Sequence, residues 1–380
     1  MLRWIVVVTA VGVAIVGGHT GSFSLLAQAR EAPSAVPPAR PGIPAVAHAT
    51  PEEFVRAAGD GNLRLVRQFL ESGFDPNSRN RDGFTPIIWA AGQGHLSVVT
   101  ALVRSGASVN ASSFDGTTAL IAAASGGRTE ILPFLLKSRA AIDARRGDGQ
   151  TALIRASAEN EIGAVRLLLA QHADIEAADS RGMTSLMHAS ANLGPDDPDG
   201  RTLPLLKLLL SAGADSNHSA LDGSTALSWA ARRGEETIVR TLLSSGAKVD
   251  VPDANGRTAL MHAALGVAGP SIAALLIQHG ASIHARDREG STATILAARR
   301  RMPGVLKVLL ENQANPNARN NQGLTALMES VRFGRYENAK LLIDAGADPA
   351  VRDAHGRTAV DLARERHDTV TLDLLNRPSR

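Results

Sequence analysis

Cysteine is absent from this 380-residue chain, which excludes disulfides, thiolate nucleophiles and cysteine-held metal centres. The same absence removes any hazard from an oxidising compartment. Lysine is scarce: Lys137, Lys207, Lys248, Lys307 and Lys340 are five among 40 basic residues, the rest being arginine. Net charge is small, +3, and becomes +2 once residues 1–29 and their single charge, Arg3, are set aside. Such a balance carries no electrostatic footprint for nucleic acid. His-Glu-x-x-His, Gly-x-Ser-x-Gly and a phosphate-cradling Gly-rich run are missing as well, so no catalytic set stands out. These gaps predict a protein that is not an enzyme and holds neither cofactor nor metal.

What the chain has instead is repetition. A glycine followed two residues later by threonine occurs at Gly83, Gly116, Gly149, Gly182, Gly223, Gly256, Gly290, Gly323 and Gly356, at intervals of 33, 33, 33, 41, 33, 34, 33 and 33 residues. A period near 33 marks a solenoid of stacked helical units. Residues 81–112 show the grammar. Asp82-Gly83 is a turn signal, with Thr85 at a helix N-cap and Pro86 at the first helical position. Small Ala90-Ala91 lets this first helix lie close to its neighbour. Beyond Gly92–Gly94, Leu96, Val98, Val99, Leu102 and Val103 recur at the spacing of a second helix, which Gly106 closes. The expected fold class is all-α, about ten units over residues 51–376, with the end units as polar-faced caps.

Thr-Ala-Leu returns at 118–120, 151–153, 225–227, 258–260 and 325–327, Leu-Leu at 168–169, 242–243 and 309–310, and Gly-Ala at 213–214, 246–247, 280–281 and 346–347. On these motifs the array resembles the ankyrin repeat, over nearly all the chain beyond its N-terminus. One departure stands out. The family usually places histidine after the leucine of Thr-Pro-Leu, where this chain has Ile88, Ile121, Ile154, Met187, Ser228, Met261, Ile295, Met328 and Asp361. That puts in doubt the histidine bridge between repeats which the resemblance implies, with apolar packing as the alternative. His188 and His262 fall one residue later. They lie two or more units apart with no third ligand at a matching place, which argues against a metal site.

Residues 1–29 have the composition of a secretory leader. Arg3 supplies the positive start, Trp4 to Gly18 the apolar stretch, and Ala27-Gln28-Ala29 a small-x-small cleavage site. The rival is an uncleaved inner-membrane anchor, although the stretch is shorter than the ~20 residues of a spanning helix. Pro/Ala-rich residues 30–50 read as a linker, and residues 377–380 as a polar tail. Few lysines and much alanine point weakly to a GC-rich bacterial genome, which makes the expected location periplasmic or secreted. Residues 192–201 form an insertion between two helices of one unit and account for its 41-residue interval. Three aspartates there match no complete calcium motif, so a solvated loop is the expectation.

In arrays of this family partners are gripped by the turns and the exposed ends of the first helices along a concave side. The resemblance therefore implies a face bearing Arg81, Phe84, Phe114, Gln150 and Arg257 at the turns, and Arg232, Arg233, Arg299, Arg300, Arg332 and Phe333 at first-helix ends. The expected partner is another protein offering an acidic segment to an arginine stripe, bound by a monomer acting as a scaffold or as an assembly or protection factor of the envelope. Polyanion or cell-wall polymer binding through the same arginines, and a membrane-anchored adaptor facing the cytoplasm, are the alternatives. Trp89 and Trp229, which share one place in their units, are either groove anchors or packing between units.

Overall fold

The computed structural model describes residues 49–191, 202–267 and 269–376. The expected leader, residues 30–48 of the linker, the 192–201 insertion with its aspartates, and the tail lie outside the described residues. Among those described, twenty helices pair into ten units. Units 1 to 5 are Pro51–Gly59 with Leu63–Glu71, Pro86–Gln93 with Leu96–Arg104, Ala119–Ser125 with Ile131–Lys137, Ala152–Ala158 with Ile162–Ala170, and Ser185–Ala191 with Thr202–Ser211. Units 6 to 10 are Ala226–Arg233 with Glu236–Ser244, Ala259–Leu265 with Pro270–Gln278, Ala293–Ala298 with Gly304–Glu311, Ala326–Arg332 with Tyr336–Asp344, and Ala359–Glu365 with Thr369–Leu375. Each first helix packs on the first helix of the next unit, and the second helices form a looser row behind them.

The local causes are visible in the first helices. Thr118, Thr151, Thr225, Thr292, Thr325 and Thr358 each accept a hydrogen bond from the backbone N–H three residues on, satisfying one orphan donor of the helix start. Ala90, Ala91, Ala123, Ala156, Ala230 and Ala231 are fully buried between neighbouring helices. The position where the family has histidine splits into two solutions. Ile88, Ile121, Ile154, Met187, Met261, Ile295 and Met328 are buried as core, whereas Ser228 and Asp361 close capping boxes with Thr225 and Thr358. Apolar packing and caps replace a histidine bridge.

The bridge between units is made by backbone. In every junction from unit 2 to unit 10, an N–H at the tip of one turn donates to a carbonyl at the tip of the turn before it. The eight bonds are Phe114 to Asp82, Gly147 to Asp115, Ser180 to Asp148, Leu221 to Arg181, Ala254 to Asp222, Arg288 to Asn255, Asn321 to Glu289 and Ala354 to Gln322, at 2.7–3.3 Å. Each turn is held in shape from inside. Asn80, Asp179, Asp253, Asp287, Asn320 and Asp353 each use one side-chain oxygen to accept two backbone N–H groups of their own turn.

This geometry makes the turn glycine necessary twice over. Gly149 sits at φ 80°, and a Cβ there would lie 2.7 Å from the Ser180 nitrogen of the next turn. Gly356, in the last unit, has φ 77° but nothing within 4 Å of an added Cβ. Gly149→Ala is therefore expected to cost about 2–4 kcal/mol, strain plus a broken junction, against about 1 kcal/mol for Gly356→Ala. Urea denaturation of the two variants checks this, and equal losses would mean that the junction bond contributes nothing.

Candidate partner-binding face

The residues expected to form one face separate onto two edges. A first helix of seven residues is about 10 Å long; it starts at the turn and ends at the loop joining it to the second helix. Arg81, Phe84, Phe114, Gln150 and Arg257 lie on the turn row. Arg232, Arg233, Arg299, Arg300, Arg332 and Phe333 lie on the opposite, loop edge. The first helices stand between them.

On the turn row the side chains differ in availability. Phe114 is 76% exposed. Phe84 is half-buried, its ring edge-on to Trp89 at 5.9 Å. Gln150 is half-buried and accepts from Arg155 Nη1 at 3.4 Å. Arg81 is exposed, while Arg257 Nε lies 3.3 Å from buried Asp287 of the next turn. Other turn arginines are fasteners: Arg145 donates to the Gly149 and Ala178 carbonyls, Arg319 to those of Gly323 and Arg352, and Arg79 to those of Gly83 and Ser112. Leu221, 80% exposed, occupies the same turn position as Phe114. Sequence reasoning passed over it. The signal was there, since Leu221 and Phe114 both stand two residues before a turn glycine.

On the loop edge, Arg299 and Arg332 converge on Glu329, which is fully buried: Arg299 Nε lies 3.3 Å from its Oε2 and Arg332 Nη1 3.0 Å from its Oε1. These two charges are answered within the array. Arg232 is exposed, with its guanidinium 6.0 Å from the Trp229 ring centroid, and Arg233 is half-buried. Arg300 donates to the Gly266 carbonyl at 3.1 Å and Arg335 to that of Arg299 at 3.0 Å. Phe333 is 45% exposed. The Trp89 ring packs over Gly59 of the preceding unit, and Trp229 Nε1 donates to Ser224 Oγ at 3.0 Å, so both indoles serve packing on at least one side.

The two unusual histidines are tied to their own turns. His188 Nε2 is 2.9 Å from Asp179 Oδ2, and His262 Nε2 is 3.0 Å from Asp253 Oδ2. Burial pushes both imidazoles below their ordinary pKa, against the opposing pull of their aspartates. Hydrogen bonds from the Met183 N–H and from His188 hold the Asp179 carboxyl below its usual range in spite of burial, which alone would raise it.

Two expectations follow from these contacts. A histidine with a depressed folded pKa favours the folded state above its unfolded value of about 6.5, and that contribution is lost as pH falls below it. The urea midpoint should therefore drop between about pH 7 and pH 5, and His188→Gln/His262→Gln should flatten that slope; the Asp179 contribution fades only below its own ordinary value of 3.8. Separately, Arg299→Glu sets a second carboxylate against buried Glu329 and should cost about 3 kcal/mol or more. Arg301→Glu, at an exposed site, should leave the denaturation midpoint unchanged.

Among known proteins, the family model for ankyrin repeats in three copies matches residues 54–146, 127–197, 199–287 and 267–353. Human SH3 and multiple ankyrin repeat domains protein 2 is 35% identical over 89 residues, 23% of this chain and 5% of that protein. A putative ankyrin repeat-containing protein of Treponema pallidum is 33% identical over 100 residues, 26% of this chain and 33% of the relative. The putative ankyrin repeat protein YahD of Escherichia coli is 35% identical over 104 residues, 26% and 51% of the two chains. The stretches matched are thus about half or less of these relatives' own lengths. Ankyrin repeats generally mediate protein–protein interaction, typically as non-enzymatic scaffolds. With its turns, helix pairs and unit spacing repeated over most of its length, this chain belongs to the ankyrin-repeat family.

Proposed function

We propose that this chain is an exported binding scaffold that holds another protein on side chains presented by its turn row. The observation that carries the reading is the pair Phe114 and Leu221. Two large apolar side chains, 76% and 80% exposed, stand at one turn position three units apart, each on a residue whose own N–H is bonded into the junction row. Exposed apolar groups at fixed spacing suit a partner's hot spots. Fixing their backbone in advance lowers the ordering cost of binding.

A non-enzymatic role is supported by the way the chemistry-bearing side chains are used. Asp179, Asp253 and Asp287 are turn fasteners, and His188 and His262 are bound to the first two of these. The compartment reading rests on Arg3, the apolar run from Trp4 to Gly18 and the Ala27-Gln28-Ala29 site, which together favour export and cleavage after Ala29. On this reading the mature chain acts as a monomer in a bacterial envelope, assembling or protecting a protein there. Fold alone does not select that partner.

The test uses the full tagged chain in its source cell. The mature N-terminus, read by mass spectrometry, should be Arg30; a retained Met1 would replace export by anchoring. Capture from the periplasmic fraction should return one stoichiometric protein, lost in Phe114→Ser/Leu221→Ser, whose side chains are exposed and whose substitution leaves the backbone junction bonds in place. Capture that is indifferent to the double variant, or that comes from the cytoplasm alone, would overturn the reading.

A further inference from the structure

The loop edge holds a second feature that the turn row does not use. Between the loops of units 7 and 8 lies a cleft of about 490 Å³ whose lining includes Ala263, Ala264, Val267, Ala297, Met302 and Val305, a volume in the range of ligand-sized clefts. Val267 and Met302 are 64% and 78% exposed at its rim, which leaves apolar surface without a covering partner. The rest of the lining is Gly266 and four arginines, Arg299, Arg300, Arg301 and Arg335. None of the described residues lining the cleft is acidic.

The state of those arginines decides what the cleft attracts. Arg299 is answered by Glu329. Arg300 and Arg335 are held by the neutral carbonyls of Gly266 and Arg299, so each is fixed in place while keeping its positive charge. Arg301 is exposed. Three guanidiniums thus border an apolar hollow, two of them already ordered. Arginine in a fixed orientation pairs with carboxylates through two N–H donors.

Resting on the scaffold reading above, we infer that this cleft is a docking site for an acidic peptide segment that buries one large apolar side chain between Val267 and Met302 and sets its flanking carboxylates on Arg300, Arg301 and Arg335. The two requirements are joint. A polymer of anionic groups satisfies the guanidiniums but leaves the apolar lining wet, and an apolar peptide leaves the charges unanswered. Adjacent carboxylates and a large apolar side chain on one short segment satisfy both.

The experiment is selection of displayed random peptides on the full chain, followed by fluorescence anisotropy of the recovered peptides against single variants. The recovered peptides should combine Asp or Glu with a large apolar residue. Val267→Glu and Arg301→Glu, both at exposed positions, should each weaken binding by roughly tenfold or more with the thermal midpoint unchanged. Replacing the apolar residue of the peptide by Ser should weaken it to a similar degree. Recovery of no peptide, or of peptides that bind both variants as tightly as the unaltered chain, overturns the inference. If those peptides instead lose affinity in Phe114→Ser/Leu221→Ser, the cleft fails and the scaffold reading stands. Equal binding of polyglutamate, polyphosphate and the peptides, with no effect of Val267→Glu, overturns the apolar half and assigns the arginines to polyanions.

Discussion

A single hydrogen bond between successive turns, repeated at eight junctions, sets the conditions that the rest of the array meets. One such bond contributes modestly, about 1 kcal/mol, but it fixes how closely two units approach. At that distance a turn residue cannot carry a Cβ on the side facing its neighbour, which accounts for Gly149 and its 2.7 Å clearance to Ser180. At that distance too the first helices must meet through small side chains, and Ala90, Ala123, Ala156 and Ala230 are fully buried where they do. Asp179, Asp253 and Asp287 stiffen their turns from within, so the donor points outward before the neighbour arrives. Because each unit is completed by the next, stability is shared among neighbours, and loss of one junction is felt in the units on both sides.

Units 1 and 10 differ from the eight that lie between them. Among the described residues no turn bond precedes unit 1, whose two helices are joined by a cluster of rings. Phe54, Phe69 and Phe74 meet with centroids 5.0–5.9 Å apart, and Glu52 Oε2 accepts from the Arg81 N–H at 3.3 Å, a side chain standing where a turn carbonyl would be. In unit 10 the turn keeps its internal fastening through Asp353, but open space faces Gly356. In unit 10 Arg357 also pairs with Asp353 and Glu365, charge where the inner units are apolar.

The sequence carried the unit, its period and its helix starts, because glycine at positive φ and threonine at an N-cap are local demands with few residue solutions. It also carried the departure at Ile88 and its counterparts, whose burial follows from residue type alone. It did not carry the division into two edges. Arg232, Arg299 and Arg332 stand at the loop ends of their first helices, whereas Arg257 and Phe114 stand at the turns that precede theirs, and residue spacing along the chain does not display that division. Nor did it carry the state of each arginine, since Arg257 and Arg299 look like free charges until Asp287 and Glu329, each about thirty residues further on, are brought beside them. Val267 and Met302 were masked for another reason: both stand in loops where apolar residues read as filler. The one clue was the 34-residue interval from Gly256 to Gly290, which marks a loop that departs from the common unit.

Arginine is used here in two ways that formal charge does not distinguish. Facing a buried carboxylate, as Arg299 and Arg332 face Glu329, it is spent inside the array. Facing the last carbonyls of the preceding first helix, it completes an unsatisfied acceptor and meets the negative end of the helix dipole, yet a neutral carbonyl leaves most of its charge in place. Arg128 on Gly92, Arg300 on Gly266, Arg335 on Arg299 and Arg366 on Arg332 are all of this second kind. Fastening loop to loop in this way leaves positive charge at these four places on the loop edge as a consequence of stacking, before any partner is considered. Charge of that origin is common to several units and cannot by itself mark a site. What sets the junction of units 7 and 8 apart is the coincidence of this charge with exposed Val267 and Met302 and a lining free of carboxylates, and it is that coincidence, rather than the number of arginines, that gives the edge chemical selectivity.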